Sequence, residues 1–368
     1  MNILLHINKL LYKLSIILNR RVYSRKVAAE ESLFPNLFKS VSAETEQKHI
    51  ALWAPVIGNV NTRWLRHYCT MSGQEDYRFL PEDVFFVVLE RVLNDCAYAG
   101  SDVEDKNRYC FFVPEKYLPT AIVRYDRGTW FDNEFLPLTL DQAQRLLMSG
   151  TGRVVGKPAS GSCGGDNVKV YKRSELNLAD ISKRFQSYVV QELLVQEPGM
   201  ASFNPDSVNT LRIMTLRRPW SGRTSVIATM CRFGCGDNIV DNLAAGGVCV
   251  DVSLDGILDD KAIGHDCGKV SSHPVTGKKF GGYQIPYYKN MCDACVEVAM
   301  RVPGFNILSF DVIARPDGRP CIVEINAKTQ GVEQMQMRRP LFGEETEQVR
   351  NWCVEHIEFA KRKCLNFS

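Results

Sequence analysis

Residues 306–327 read NILSFDVIARPDGRPCIVEINA, and this stretch decides the fold. Two runs rich in Ile, Val and Phe flank Pro316-Asp317-Gly318-Arg319, whose Pro, Asp and Gly favour a tight reversal of the chain. The pattern predicts a β-hairpin. Folded symmetrically about that loop, the hairpin sets Asp311 opposite Glu324, and strand alternation puts Asn326 on the same face as Glu324. Their neighbours Phe310, Val312, Ile322, Val323 and Ile325 are strongly apolar. Carboxylates held opposite each other repel unless a cation removes the conflict. Hard oxygen donors suit magnesium, which keeps waters and bridges substrate phosphates, so Asp311, Glu324 and Asn326 are the expected metal ligands. A plain solvated sheet face bearing acids is the alternative.

Upstream, residues 154–171 read VVGKPASGSCGGDNVKVY: a strand, a lysine, a small-residue loop and a second strand. Ser160, Gly161, Ser162, Gly164 and Gly165 let backbone amides approach an anion closely, and Lys157 can set a positive charge on a phosphate. No GxxxxG precedes the lysine and no helix is signalled after it, so this is neither a Walker loop nor a Rossmann fingerprint. The same residues would also suit a ligand-free hairpin turn.

The rest of the chain frames these two segments. Its 368 residues, 45% apolar and 24% charged, have room and composition for two or three soluble lobes. A net charge of +3 gives no whole-chain argument for a nucleic-acid partner. Thirteen cysteines are scattered, only Cys292 and Cys295 have metal-like spacing, and a reducing, cytoplasmic setting follows. Residues 30–49 look polar and linker-like. A helical stretch is predicted around Asp83–Glu90 and Leu93–Ala99, ending at Gly100. From Ala121 onward short β-branched runs alternate with helical ones over 139–148 and 178–186. Longer strands follow over 210–216, 225–232, 247–252 and 307–315, an α+β pattern with antiparallel pairing.

The first 26 residues stand apart. Leu4, Leu5, Ile7, Leu10, Leu11, Leu14, Ile17 and Leu18 recur at near-helical intervals among Lys9, Lys13, Arg20, Arg21, Arg25 and Lys26, with no acid between them. Lys9 and Lys13 interrupt the apolar run before it could span a bilayer. Two readings stay open: a helix peripheral to an anionic membrane surface, or an ordinary helix packed on the body of the protein.

A lysine before a Gly/Ser loop, a later hinge, then Asp and Glu-x-Asn across a hairpin resemble the ATP-grasp pattern. The sequence is most similar to the sugar-transfer-associated ATP-grasp proteins, and the likeness runs over about 105–339. The resemblance implies an α+β ATP-grasp fold whose two subdomains clasp ATP, preceded by a mostly helical region. The corresponding divisions are a basic helix and linker over 1–49, a helical region over 50–119, a small lobe with the flap over 120–195 and a large lobe with the metal site over 196–368.

By the same resemblance, Lys106 in Asp105-Lys106-Asn107 and Lys157 would contact ATP phosphates, with 160–165 as the flap above them. Gln191, Glu192, Leu193 and Leu194 resemble the hinge that reads the adenine edge, and Glu197 falls near the usual ribose-binding acid. Arg212, Arg232 and Asn242 look like active-site residues, and the 273–277 stretch beginning at His273 also recurs in the family. Ser309 stands where many ATP-grasp ligases carry an arginine, a charge that Arg212 or Arg232 would have to bring from another strand. What the likeness implies is an ATP- and Mg2+-dependent carboxylate–amine ligase acting in surface-polysaccharide or glycoconjugate assembly. A sugar or lipid hydroxyl phosphotransferase and a non-catalytic ATP-binding scaffold are the alternatives.

Overall fold

The computed structural model describes residues 2–95, 100–161, 165–236, 246–264 and 268–362. Helices come first: α1 (Asn2–Leu33), α2 (Ala43–Ile57), α3 (Arg63–Ser72) and α4 (Glu82–Val84). The π-helical turn Phe85–Leu89, α5 (Glu90–Leu93) and α6 (Gly100–Glu104) follow. The linker reading of 30–49 gives way here. α1 continues to Leu33 with Glu31 paired to Arg63 at 2.6 Å, and the Ser42 hydroxyl accepts from the Thr45 amide to start α2. Gly100 opens a short helix instead of ending one, while 96–99 of the expected helix lie outside the described residues.

The small lobe is a six-stranded antiparallel sheet of β1 (Ala121–Asp126), β2 (Thr129–Phe131), β3 (Pro137–Leu138), β4 (Arg153–Pro158), β5 (Lys169–Lys172) and β6 (Ser187–Glu192). The order is β3-β2-β1-β6-β4-β5. Alternate residues Val123, Val154 and Val190 bury one face against Ala143 and Leu147 of α7 (Leu140–Met148) and Ile181 of α8 (Leu178–Arg184). Thr139 and Gln142 close a reciprocal capping box at the start of α7.

The large lobe follows α9 (Pro198–Ala201). It is a seven-stranded antiparallel sheet of β7 (Thr210–Arg217), β8 (Thr224–Phe233), β9 (Val248–Val252), β10 (Leu258–Gly264), β11 (Lys269–Val270), β12 (Ile307–Ala314) and β13 (Pro320–Asn326). The order is β11-β10-β9-β8-β7-β12-β13. Leu211, Ile213, Phe310 and Val312 pack against Met291, Cys295 and Val298 of α10 (Tyr288–Arg301), a helix the sequence reading did not single out. Cys295 is thus a core thiol, and among the described residues no cluster of three or more His, Cys, Asp or Glu is arranged for a metal.

The opposite face of this sheet holds Met214, Leu216, Met230 and Ile307 against Phe85, Val88 and Leu93, with Val349 and Cys353 of α11 (Thr346–Glu355) beside them. α12 (Glu358–Arg362) ends the described chain. Arg212, Ser309 and Asp311 lie on this same face by strand alternation, further along β7 and β12. The N-terminal helices therefore cover one part of the face and leave the charged part open to the small lobe.

Several carboxyls are buried in this packing. Thr329 N and Gln330 N donate to Glu90, yet burial pushes its carboxyl up to about 7. Burial also pushes Asp83 and Asp251 up to about 6. Each holds its proton more tightly folded than unfolded. Each therefore contributes stability that is whole below its unfolded pKa and is lost as pH rises through the folded value. The melting temperature is expected to fall from about pH 5 to about pH 7.5, with a shallower fall in Glu90→Gln. Thermal melts across that window check this, and a rising profile would contradict it.

Candidate active site

A cleft of about 1670 Å³ opens between the two sheets. From the small lobe, Lys157 near the end of β4 and Gln191 on β6 reach it. From the large lobe come Arg212, Arg232, Asp311, Glu324 and Asn326, on four neighbouring strands. Lys106 enters just after α6, with its backbone N–H donating to Ala159 O at 2.7 Å and its carbonyl accepting from Arg124 Nη1 at 3.0 Å. Those two bonds tie the lysine segment to the root of the flap.

The hairpin register matches the sequence reading: Asp311 pairs with Glu324 and Ser309 with Asn326, so the three oxygen donors share one face. A bulge at Val323 shifts the register immediately beyond. Asp311 is held by two cations. Arg212 Nε donates to Oδ1 and Nη2 to Oδ2, both at 2.8 Å, and Arg232 Nη2 lies 2.8 Å from Oδ2. Burial alone would raise the Asp311 carboxyl, but these two guanidinium groups outweigh it and hold it well below the usual carboxylate range. The charge missing at Ser309 thus arrives from β7 and β8, while the Ser309 hydroxyl donates to Gln330 Oε1 at 2.7 Å.

Glu324 takes a 2.9 Å hydrogen bond from Lys106 Nζ and keeps about a third of its side chain exposed to the cleft (32%). Asn326 Nδ2 is buried without a hydrogen-bond partner, an orphan that a half-turn of the amide replaces with an oxygen. Glu324 and Asn326, with the Asp311 lone pairs left over from the arginines, form a hard-oxygen set that fits a magnesium ion. Glu104, whose carboxylate accepts from Ala327 N at 2.8 Å and Lys328 N at 2.9 Å, adds a further acid to this wall of the cleft.

Lys157 is almost wholly buried, and its ammonium has no ion-pair partner among the described residues. Burial, with the Lys106 charge adding to it, lowers its pKa to about 8. Four cationic side chains, Lys106, Lys157, Arg212 and Arg232, thus face three carboxylates, Asp311, Glu324 and Glu104. That imbalance favours a polyanion. Ser160, Gly161 and Gly165 line the same region, and Gly161 has φ 72° with open space where a Cβ would stand. Ser162, Gly164 and Asn242 lie outside the described residues.

The hinge residues divide. Gln191, Leu193 and Leu194 line the cleft. Glu192 does not: its carboxylate takes a 2.5 Å bond from Arg173 Nη2 and its backbone N–H donates to Thr120 O. Glu197 is a correction. Both of its carboxylate oxygens accept backbone N–H groups, from Gly199 and Met200 at 2.9 Å, so it caps α9 instead of lining the cleft. His273 is a turn residue as well: its Nδ1 accepts from Val275 N and Thr276 N, which makes Nε2 the donor to Gly234 O at 2.8 Å.

A comparison with families decides the lineage: the family model described as sugar-transfer associated ATP-grasp matches residues 139–351. The chain belongs to that family. Sugar-transfer associated ATP-grasp is therefore the frame for the two sheets and the cleft between them. Among solved structures, the chain is similar to an ADP complex of purK, N5-carboxyaminoimidazole ribonucleotide synthetase, at 13% identity and TM-score 0.39, covering 66% of this chain and 54% of that one. It is also similar to an L-amino acid ligase from Bacillus licheniformis (12%, TM-score 0.37, 65% and 46%). A third is the ATP-grasp ligase PsnB complexed with minimal precursor, Mg and ADP (14%, TM-score 0.38, 71% and 61%). The chain spans about half the length of the first solved structures it matches. No curated protein matches it.

The cleft runs on beyond Lys106 and Lys157 to a part that motif reading missed. There Lys26 Nζ lies 2.8 Å from Glu82 and 3.4 Å from Glu333, and His67 Nε2 lies 3.2 Å from Glu333. Burial and the nearby Glu333 charge push Glu82 up to about 7 against the pull of Lys26. These residues lie too far apart in sequence to form any motif, so no local signal marks them.

Proposed function

We propose that this protein is an ATP- and magnesium-dependent carboxylate–amine ligase working through an acylphosphate, with a sugar acid or amino sugar of glycoconjugate assembly among its substrates. The observation that carries the reading is the buried Lys157 ammonium, which has no ion-pair partner among the described residues, beside Lys106 on the same cleft as Glu324 and Asn326. A desolvated cation is costly unless an anion completes it.

A carboxylate is a poor electrophile because its leaving group would be oxide. Transfer of a phosphoryl group gives it phosphate as leaving group, and an amine then displaces that phosphate to leave an amide. Phosphoryl transfer needs positioning and charge neutralisation more than covalent help. Lys106 and Lys157 neutralise phosphate oxygens, and backbone amides around Ser160, Gly161 and Gly165 cradle them. Arg212 and Arg232, fixed through Asp311, aim positive charge at the acyl oxygen as it gains charge. Glu324 and Asn326, beside Asp311, would hold a magnesium ion, whose charge would offset that of the phosphates.

A panel of sugar acids with and without amines, read by inorganic phosphate release, tests the reading. Phosphate is expected only when carboxylate and amine are both present. Phosphate retained on an acceptor with no amine required would instead establish a phosphotransferase.

A further inference from the structure

α1 presents two chemically different sides. One side buries Tyr12 and Val27 and lends Tyr23 and Lys26 to the cleft. The other carries Leu10, Leu14, Ile17, Leu18 and Val22, and Leu18 and Val22 are each 60% exposed. Their spacing of three and four residues sets them along one stripe of the helix. Arg21 and Arg25 stand along the same stripe and have no ion-pair partner among the described residues. Arg20, Arg21, Ser24 and Arg25 surround a shallow cavity of about 450 Å³. No acid occurs in the chain before Glu30.

We propose that this outward face of α1 is a docking surface for an anionic lipid bilayer, with the apolar stripe entering the headgroup boundary and the arginine cavity taking lipid phosphates. Charge selects the occupant. Across a two-fold contact between copies, the arginines of one helix would meet those of the other, whereas an anionic leaflet supplies the opposite sign along the whole stripe. No described helix is long and apolar enough to cross a membrane, so α1 would lie on the surface. Because its inner side reaches the cleft, docking sets the cleft's far end about one helix diameter, ~10 Å, from the lipid. The inference stands independently of the ligase reading.

The test uses the full chain and sedimentation with phosphatidylcholine vesicles, with or without about one third phosphatidylglycerol. Binding to the anionic vesicles is expected, about tenfold or more weaker on neutral vesicles and weakened by salt. The variants Leu14→Glu/Leu18→Glu and Arg21→Glu/Arg25→Glu should each lose about tenfold or more while keeping the parent's melting temperature and ATP binding. Absence of sedimentation, or equal binding by parent and variants, would overturn the proposal. So would light scattering that finds a dimer converted to monomer by Leu14→Glu/Leu18→Glu without vesicle binding by the parent.

Discussion

Glu324→Gln is expected to cut ATP-dependent turnover by about a hundredfold or more while barely moving the melting temperature. The carboxylate stands on β13 directly opposite Asp311, takes one bond from Lys106 and faces the cleft. Glutamine keeps the volume and can still accept from Lys106. It removes the negative charge that a divalent ion needs. Turnover falls because the ion is lost, whereas the fold survives because the side chain is partly solvated and the buried Lys106 ammonium keeps the glutamine oxygen as a hydrogen-bond acceptor. ADP release in the presence of substrates, alongside a thermal melt, reads both quantities. Turnover within about threefold of the parent would mean that the metal is held elsewhere.

Asp311→Asn should behave differently, by unfolding the protein more readily: a loss of about 3–5 kcal/mol is expected. Asp311 is almost wholly buried and is the shared counter-ion of Arg212 and Arg232, both largely buried themselves. Asparagine preserves shape but removes the negative charge that the two guanidinium groups share. The damage is electrostatic, so removing one surplus cation should repair part of it: Asp311→Asn/Arg232→Met should melt higher than Asp311→Asn alone. Chemical denaturation of the three proteins measures this. An Asp311→Asn protein as stable as its parent would show that the arginine clamp contributes little to folding.

The contrast between these two acids bears on what sequence can reveal. Alternation and turn chemistry suffice to place Asp311 opposite Glu324, because the 306–327 hairpin is local and its loop residues are diagnostic. The arginine clamp is not local. Arg212 and Arg232 reach Asp311 only because β7 lies beside β12 and β8 beside β7, an order set by non-sequential strand pairing. Glu197 misleads for a related reason: an acid just before Pro198-Gly199 serves a helix start as readily as a ribose, and its two backbone N–H partners settle which. The residues 30–49 look like a linker because their polar side chains pair with distant elements, Glu31 with Arg63 and Ser42 with Glu75. The cluster of Lys26, Glu82 and Glu333 joins three remote segments and leaves no trace in any window of sequence.

Calorimetric titration of the full chain with ATP and magnesium, beside Lys157→Met, bears most directly on the proposal that this cleft holds a nucleotide. Binding that requires magnesium, weakens as pH rises past about 8 and falls roughly tenfold to a hundredfold in Lys157→Met is the expected result. No heat of binding, or equal affinity in the two proteins, would contradict it.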